Sequence, residues 1–420
     1  MYRVWTFLEN YVWTLGIGAL LAMVLANLTP GLYAYLTAFP ISFGDYVGQD
    51  AGVWLTQHGT RFGIPDLGDV RRVLTVSEAV TKLGMSLFLF LAAKELWEAL
   101  VLDHGALRGS DAILPIGVAI GGMAGAAVVY LALNAAFGLD AQAGWAIPVG
   151  TDIAVAYILG RAAFGAKHPA LRLLLVMAVA DDALSVLILA IFHVQSSIQP
   201  LWLLLAALAG GLAYGLANWL PRRLDGADPV KPAQTAVRLR LGLLPYVVAG
   251  AVSLFAVTRS GLHPALGLLP VLPALPHADR AFGVFASAER FLHDLLNRAE
   301  QMLRYPVGVV LFLFAFCQAG VPVATFGLLS LTVILAMLLG KPLGVLAGGW
   351  VVAKAGGPVA AQGILPRVAL VAGASLTMSL LLADASQLTV EQSQSARLGV
   401  LVGLVFLSVA ARSLGARLPA

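Results

Sequence analysis

Asp181 and Asp182 stand side by side in the middle of an apolar run, LRLLLVMAVADDALSVLILAIF. A helix carrying that run through hydrocarbon would bury both carboxylates. A single Asp at the centre of a membrane helix costs about 2.5–3.5 kcal/mol, and an ionisable group at that depth is a functional candidate by default. Two in succession point to a site that holds protons or cations midway across a membrane. Neighbours on a helix project about 100° apart, so the two cannot both face one small site. One can pair with an internal cation while the other faces a water-filled funnel, where a desolvated carboxylate can exchange a proton for a cation.

Two further segments supply matching chemistry. In GWAIPVGTDIAVAYILGRAAF, Gly144, Pro148 and Gly150 weaken the helix just before Thr151 and Asp152. A broken helix exposes unpaired amides and carbonyls, which a membrane tolerates only where they line a cavity or meet protein partners. In TVILAMLLGKPLGVLAGGW, Lys341 precedes Pro342 deep inside an apolar run and needs a counter-charge. Hard monovalent cations prefer oxygen ligands, and carboxylates, a Thr hydroxyl and freed carbonyls provide them. No His, Cys and Glu cluster has transition-metal spacing.

The elements that must position these groups are membrane helices. The chain has 420 residues, 60% of them hydrophobic and 11% charged, with a mean hydropathy of +0.88. Soluble domains are about 45–50% apolar and about 25% charged. A span needs about 20 mainly apolar residues. Twelve candidate spans centre near Ala19, Leu89, Gly121, Ala154, Leu184, Ala209, Ala251, Leu268, Leu313, Ala336, Leu376 and Leu404, in one transporter domain over residues 1–420. The segment 38–74 mixes Gly, Pro and alternating apolar residues. It reads as an extracytoplasmic hairpin or surface segment, and as a candidate homodimer contact.

Twelve spans put both termini on one side. One set of loops then carries Arg108, Arg161, Lys167, Arg172, Arg222, Arg223, Lys231, Arg238, Arg240, Arg280, Arg290, Arg298, Arg304, Lys354, Arg367, Arg412 and Arg417. The other carries only Arg61, Arg71, Arg72, Arg259 and Arg397. The positive-inside rule makes the first set and both termini cytoplasmic, with basic clusters meeting lipid headgroups. The N-terminus lacks the features of a cleaved signal and reads as a retained helix. A net charge of +4 does not imply nucleic-acid binding in such a chain. The single cysteine, Cys317, excludes an internal disulfide, and the absence of a nucleotide motif implies an ion gradient in place of ATP. No cofactor is expected.

RVALVAGASLTMSLLLAD interrupts a late span with Gly, Ser and Thr, as the Thr151 segment interrupts an early one. Paired interruptions predict inverted repeats about a midplane site, here from about Leu114 to Phe192 and from about Phe326 onward. AIGGM (119–123), GWAIPVGTDIA (144–154), MAVADDALSVLILAIF (177–192), SGLHPAL (260–266), FAFCQAG (314–320), GKPLG (340–344) and LTMS (376–379) occur in one order. From about Ser77 to Val405 the chain thereby resembles the NhaA-type sodium/proton antiporter family. The resemblance implies an all-α polytopic membrane protein of about 12 helices, with two discontinuous helices crossing, in a bacterial inner membrane. It implies exchange of two protons inward for one Na⁺ or Li⁺ outward, making that ion the only metal bound. Asp182 would be the main ion- and proton-binding carboxylate, with Asp181 as a second ligand of the ion, and Asp181 would pair with Lys341 and release that pairing during transport. Asp152 with Thr151 would sit at the crossing and balance helix-end charge. Glu300, in RAEQML, matches a position linked to pH response.

The chain departs from that pattern at several positions. Lys94 stands where the family usually has an acid, with Glu95 and Glu98 nearby, and Ala183-Leu184 follow the Asp pair in place of Leu-Gly. Gln318 replaces a usual Asn, and Glu78 and Lys82 form an i,i+4 pair early in the second span. Two alternatives keep the same fold: transport of another cation, or Na⁺-coupled symport of an organic solute. An intramembrane aspartyl protease is disfavoured, because adjacent carboxylates cannot straddle a peptide bond. The expected protein is not an enzyme.

Overall fold

The computed structural model describes residues 7–45, 47–103, 105–226, 228, 231–277 and 294–415. Arg280, Arg290 and Arg417 of the basic set lie outside these. The described chain is almost entirely helical. The long apolar helices are, in order, α1 (Phe7–Leu28), α2 (Val76–Val101), α3 (Ile113–Phe137), α4 (Ile153–Phe164), α5 (Pro169–Phe192), α6 (Pro200–Asp225), α7 (Leu244–Ser260), α8 (Leu295–Ala319), α9 (Leu328–Lys354), α10 (Ile364–Ala372), α11 (Thr377–Ala385) and α12 (Val390–Gly415). Among the described residues eight helices are long and apolar enough to cross a membrane unaided. Two further candidates are bent pairs: α7 with the surface helix Pro232–Arg240 at 65°, and α10 with α11 at 47°. Two shorter apolar segments remain, α4 and Pro264–Ala274. Eleven of the twelve centres read from hydropathy fall on these segments, and the twelfth, Leu376, falls at the break between α10 and α11.

The breaks have local causes. Pro148 and Gly150 precede α4, and the chain from Gln142 to Ala146 forms only a tight helical turn. Gly373 to Leu376 separate α10 from α11. In α9 the turn Ala336–Gly340 is widened, and the Lys341 amide bonds back five residues to the Ala336 carbonyl. Pro342 follows and can donate no backbone bond, so the ladder adjusts where the buried lysine emerges.

The two halves meet along α3 and α9. Gly117, Gly121 and Gly125 on α3 lie against Gly340, Gly344 and Gly348 on α9. A Cβ on Gly121 would sit 2.5 Å from the Gly344 carbonyl oxygen, and a Cβ on Gly344 would strike the Gly121 carbonyl. Small residues four apart let membrane helices approach backbone to backbone. The pattern of small residues is visible in both apolar runs.

Between α1 and α2 the chain forms a small sheet, with β1 (Pro40–Gly44) and β2 (Gln49–Asp50) on either side of β3 (Arg72–Thr75), all antiparallel. Trp54 anchors it: the ring is buried with Ala51 and Val73, and its indole N–H donates to the Ala38 carbonyl at 3.1 Å. β1 is an edge strand whose Ile41 and Phe43 are exposed.

Candidate functional site

Thr151, Asp181 and Lys341 form a closed triangle with no solvent exposure. Lys341 Nζ lies 2.8 Å from Asp181 Oδ2 and donates to Thr151 Oγ1 at 2.6 Å. Its third N–H goes to the Val149 carbonyl, so the ammonium uses its full donor set. The Thr151 hydroxyl reaches Asp181 Oδ2 at 2.5 Å and the Ala372 carbonyl at 2.7 Å. Val149 and Ala372 end the first halves of the two broken segments. The cation and the hydroxyl thus meet carbonyls that the breaks leave without helical partners.

Asp152 serves the opposite ends. Its Oδ1 accepts from the amides of Ala154 and Val155 at 3.1 and 3.4 Å, capping α4. Its Oδ2 accepts from the Thr377 amide at 3.3 Å and the Thr377 hydroxyl at 2.6 Å, at the start of α11. The Asp152 amide donates to the Ala374 carbonyl at 2.7 Å, and Ser379 Oγ donates to the Ile147 carbonyl at 2.6 Å. These bonds stitch the two breaks across each other. One carboxylate caps two helix N-termini, each carrying roughly half a positive charge.

Asp182, one residue from the triangle, is oriented differently. It is buried, and its Oδ1 has no hydrogen-bond partner among the described residues. It lines a cavity of about 40 Å³ together with Asp152 and Thr377, a space sufficient for an ion with a water. Tyr11, Glu95 and Glu300 also line the cavity. The angular split expected between the adjacent carboxylates is thus the observed one.

Glu300 and Glu95 belong to a second buried charge cluster. Lys94 Nζ lies 2.9 Å from Glu300, 2.9 Å from Glu98 and 3.2 Å from Glu95. The lysine that replaces a usual acid is therefore the shared counter-ion of three carboxylates from α2 and α8. Glu78 and Lys82 pair with each other as their spacing predicted. Among the described residues no three His, Cys, Asp or Glu side chains gather as a metal centre.

Several contributors were missed in the sequence. Thr377 sits in a quoted segment, but its partnership with Asp152 needs the fold. Tyr11, on α1, carries no sequence signal for the cavity. The link from Lys94 to Glu300 spans two helices, and only the charge of each residue in an apolar run hinted at it.

Two broken helices crossing beside buried carboxylates, in a bundle of apolar helices, define a secondary transporter of the inverted-repeat class. The family model described as Na+/H+ antiporter 1 matches residues 14–414. The chain is 45% identical over 346 residues to the Na(+)/H(+) antiporter NhaA of Jannaschia sp. (strain CCS1), covering 81% of this chain and 80% of that protein. It is 33% identical over 332 residues to the Na(+)/H(+) antiporter NhaA of Geobacter sulfurreducens, covering 77% and 81% respectively. The chain belongs to the Na+/H+ antiporter 1 family, a family of multi-pass membrane transporters and not of enzymes.

Proposed function

We propose that this protein exchanges Na⁺ or Li⁺ for protons across a bacterial inner membrane, by alternating access around Asp181 and Asp182. The observation that carries the reading is the position of Asp182, a buried carboxylate with an unpartnered oxygen on a small cavity, one residue from a carboxylate whose Oδ2 is held by Lys341 and Thr151. A carboxylate so placed is neutralised by one proton or by one monovalent cation, and the two compete for the same oxygens. Asp152 and Thr377 contribute further oxygen atoms to the cavity wall.

Asp181 is held by Lys341 and Thr151. Release of that pairing when a cation enters would free a second proton-carrying group, in keeping with two protons per cation and an electrogenic cycle. Asp152 balances the two helix N-termini. Glu300, tied to Lys94 and facing the same cavity as Asp182, is suited to transmit pH to the site. The cavity size favours a small ion over an organic solute.

The whole chain acts as one transporter domain. The asymmetry of Arg and Lys between loops supports cytoplasmic termini and an extracytoplasmic sheet at 38–74. The exposed edge of β1 supports pairing with a second copy there. The basic loops and the lipid-facing helices make membrane lipids the other partner.

Proteoliposomes with an imposed pH gradient test the reading. Adding Na⁺ or Li⁺ should dissipate part of the gradient, and Asp182→Asn should abolish that response. Wild-type protein that moves no protons with Na⁺, Li⁺ or K⁺ at neutral or alkaline pH would overturn it.

A further inference from the structure

Asp384 lies at the far end of the half-helix whose first residue, Thr377, binds Asp152. Its Oδ1 accepts from Gln318 Nε2 on α8 at 3.2 Å and from Arg397 Nη2 on α12 at 3.2 Å. Gln318 Nε2 also donates to Thr81 Oγ1 on α2 at 2.7 Å, so both of its amide hydrogens are engaged. The Glu78–Lys82 pair lies on the same turns of α2 as Thr81. One carboxylate thereby ties α11 to α8 and α12, and through Gln318 to α2.

This network stands at the opposite ends of α2 and α8 from the residues that line the cavity. Along α2, Glu95 on the cavity wall is about 21 Å from Thr81 at 1.5 Å per residue. Along α8, Glu300 is about 27 Å from Gln318 on the same measure. The cavity therefore extends toward the Glu95 and Glu300 end, while the Asp384 end is tied by hydrogen bonds between four helices.

We infer that Asp384 is a positioning residue and the latch of the closed side. It seats α11 against α8 and α12, and its bonds to Gln318 and Arg397 must break before the ion site is exposed toward that end. The inference rests on the exchange reading, because only a transporter that presents one site to both faces needs such a latch. The strength of the network suits the task. The Asp384 and Arg397 side chains are 26% and 18% exposed, so their attraction is screened in part and the pair can part without stranding a fully buried charge. Thr377 and Asp384 share one nine-residue helix. Displacement at the latch is thus passed to Asp152 without an intervening joint.

Cys317, the single cysteine, is buried next to Gln318 and reports on this end of the bundle without engineering. The experiment measures the rate at which a membrane-impermeant maleimide, added to either face of oriented vesicles, labels Cys317. Asp384→Ala and Arg397→Ala should each raise the rate from the α8 C-terminal face by about fivefold or more, the shift expected when a two-state equilibrium moves by about 1 kcal/mol. Asp384→Glu should restore the slow rate. Gln318→Asn, whose shorter arm cannot span Thr81 and Asp384 together, should act in the same direction and carries the test if Asp384→Ala fails to fold. A rate unchanged in folded variants, or raised equally from both faces, overturns the latch. Na⁺-driven proton movement measured on the same vesicles separates the two ideas. Loss of that activity in the wild type refutes the exchange reading, whereas one-sided labelling reads the latch directly.

Discussion

Lys341 and Asp181 face each other at 2.8 Å with neither side chain exposed, and Thr151 bonds to both. Each charge is tolerable only because the other is there. Removing one partner of a buried pair costs about 3–5 kcal/mol, whereas removing both can be nearly neutral. Lys341→Met and Asp181→Leu should each lower the unfolding temperature in detergent sharply, and the double variant should recover much of the loss. A double-mutant cycle with coupling below about 0.5 kcal/mol would refute the pairing.

Asp182 should behave in the opposite way. It forms no ion pair among the described residues, and its Oδ1 has no hydrogen-bond partner there. Asp182→Asn should abolish cation-dependent proton movement while leaving thermal stability within about 1 kcal/mol of wild type, or improving it. A variant that loses activity only by unfolding would place Asp182 in the scaffold.

Thr377 was visible in the sequence only as part of an interruption, yet it gives Asp152 two hydrogen bonds. Thr377→Val removes the hydroxyl and leaves the amide. The apparent KM for Na⁺ should rise by about fivefold to twentyfold, the effect of one charge-assisted hydrogen bond of about 1–2 kcal/mol. Thr377→Ser should retain wild-type affinity. Equal behaviour of the two variants in a cation titration would show that the hydroxyl does not matter.

Lys94 has three carboxylates within 3.2 Å. Lys94→Met strands the negative charges and should destabilise the protein by about 3–5 kcal/mol in thermal unfolding. Glu300→Gln relieves part of the excess negative charge and should cost less, while moving the pH profile of exchange. An unchanged profile in Glu300→Gln would detach this cluster from pH response.

The glycine seam makes a purely structural prediction. Gly121→Ala places a methyl group 2.5 Å from the Gly344 carbonyl, whereas Gly211 has open space around it. Gly121→Ala should lower stability by about 1–3 kcal/mol and Gly211→Ala should not. Thermal unfolding of the two variants in one detergent decides the matter.

The sequence reading went furthest where physics leaves few choices. A carboxylate in a twenty-residue apolar run is conspicuous, so Asp181, Asp182 and the spans around them were legible from hydropathy alone. Helical periodicity was enough to separate the two Asp residues by direction. Family resemblance, and not spacing, assigned Lys341 to Asp181 and Glu300 to pH response. What remained hidden were contacts between distant segments. Thr377 with Asp152, Lys94 with Glu300 and Gln318 with Asp384 each join residues more than 60 positions apart. A single chain offers no local signal for such a meeting, because any of several buried polar groups would satisfy each partner.

The seam between α3 and α9 has one more consequence. Interleaved side chains act like gear teeth: to turn one helix on another, they must be lifted from their sockets. Over Gly121 and Gly125 on α3 and Gly344 and Gly348 on α9 backbone meets backbone, and the teeth sit at the margins, where Val352 meets Gly117 and Val129 meets Gly340. The two halves therefore touch along a smooth bearing, one that resists being pulled apart yet lets the helices roll with little repacking of side chains.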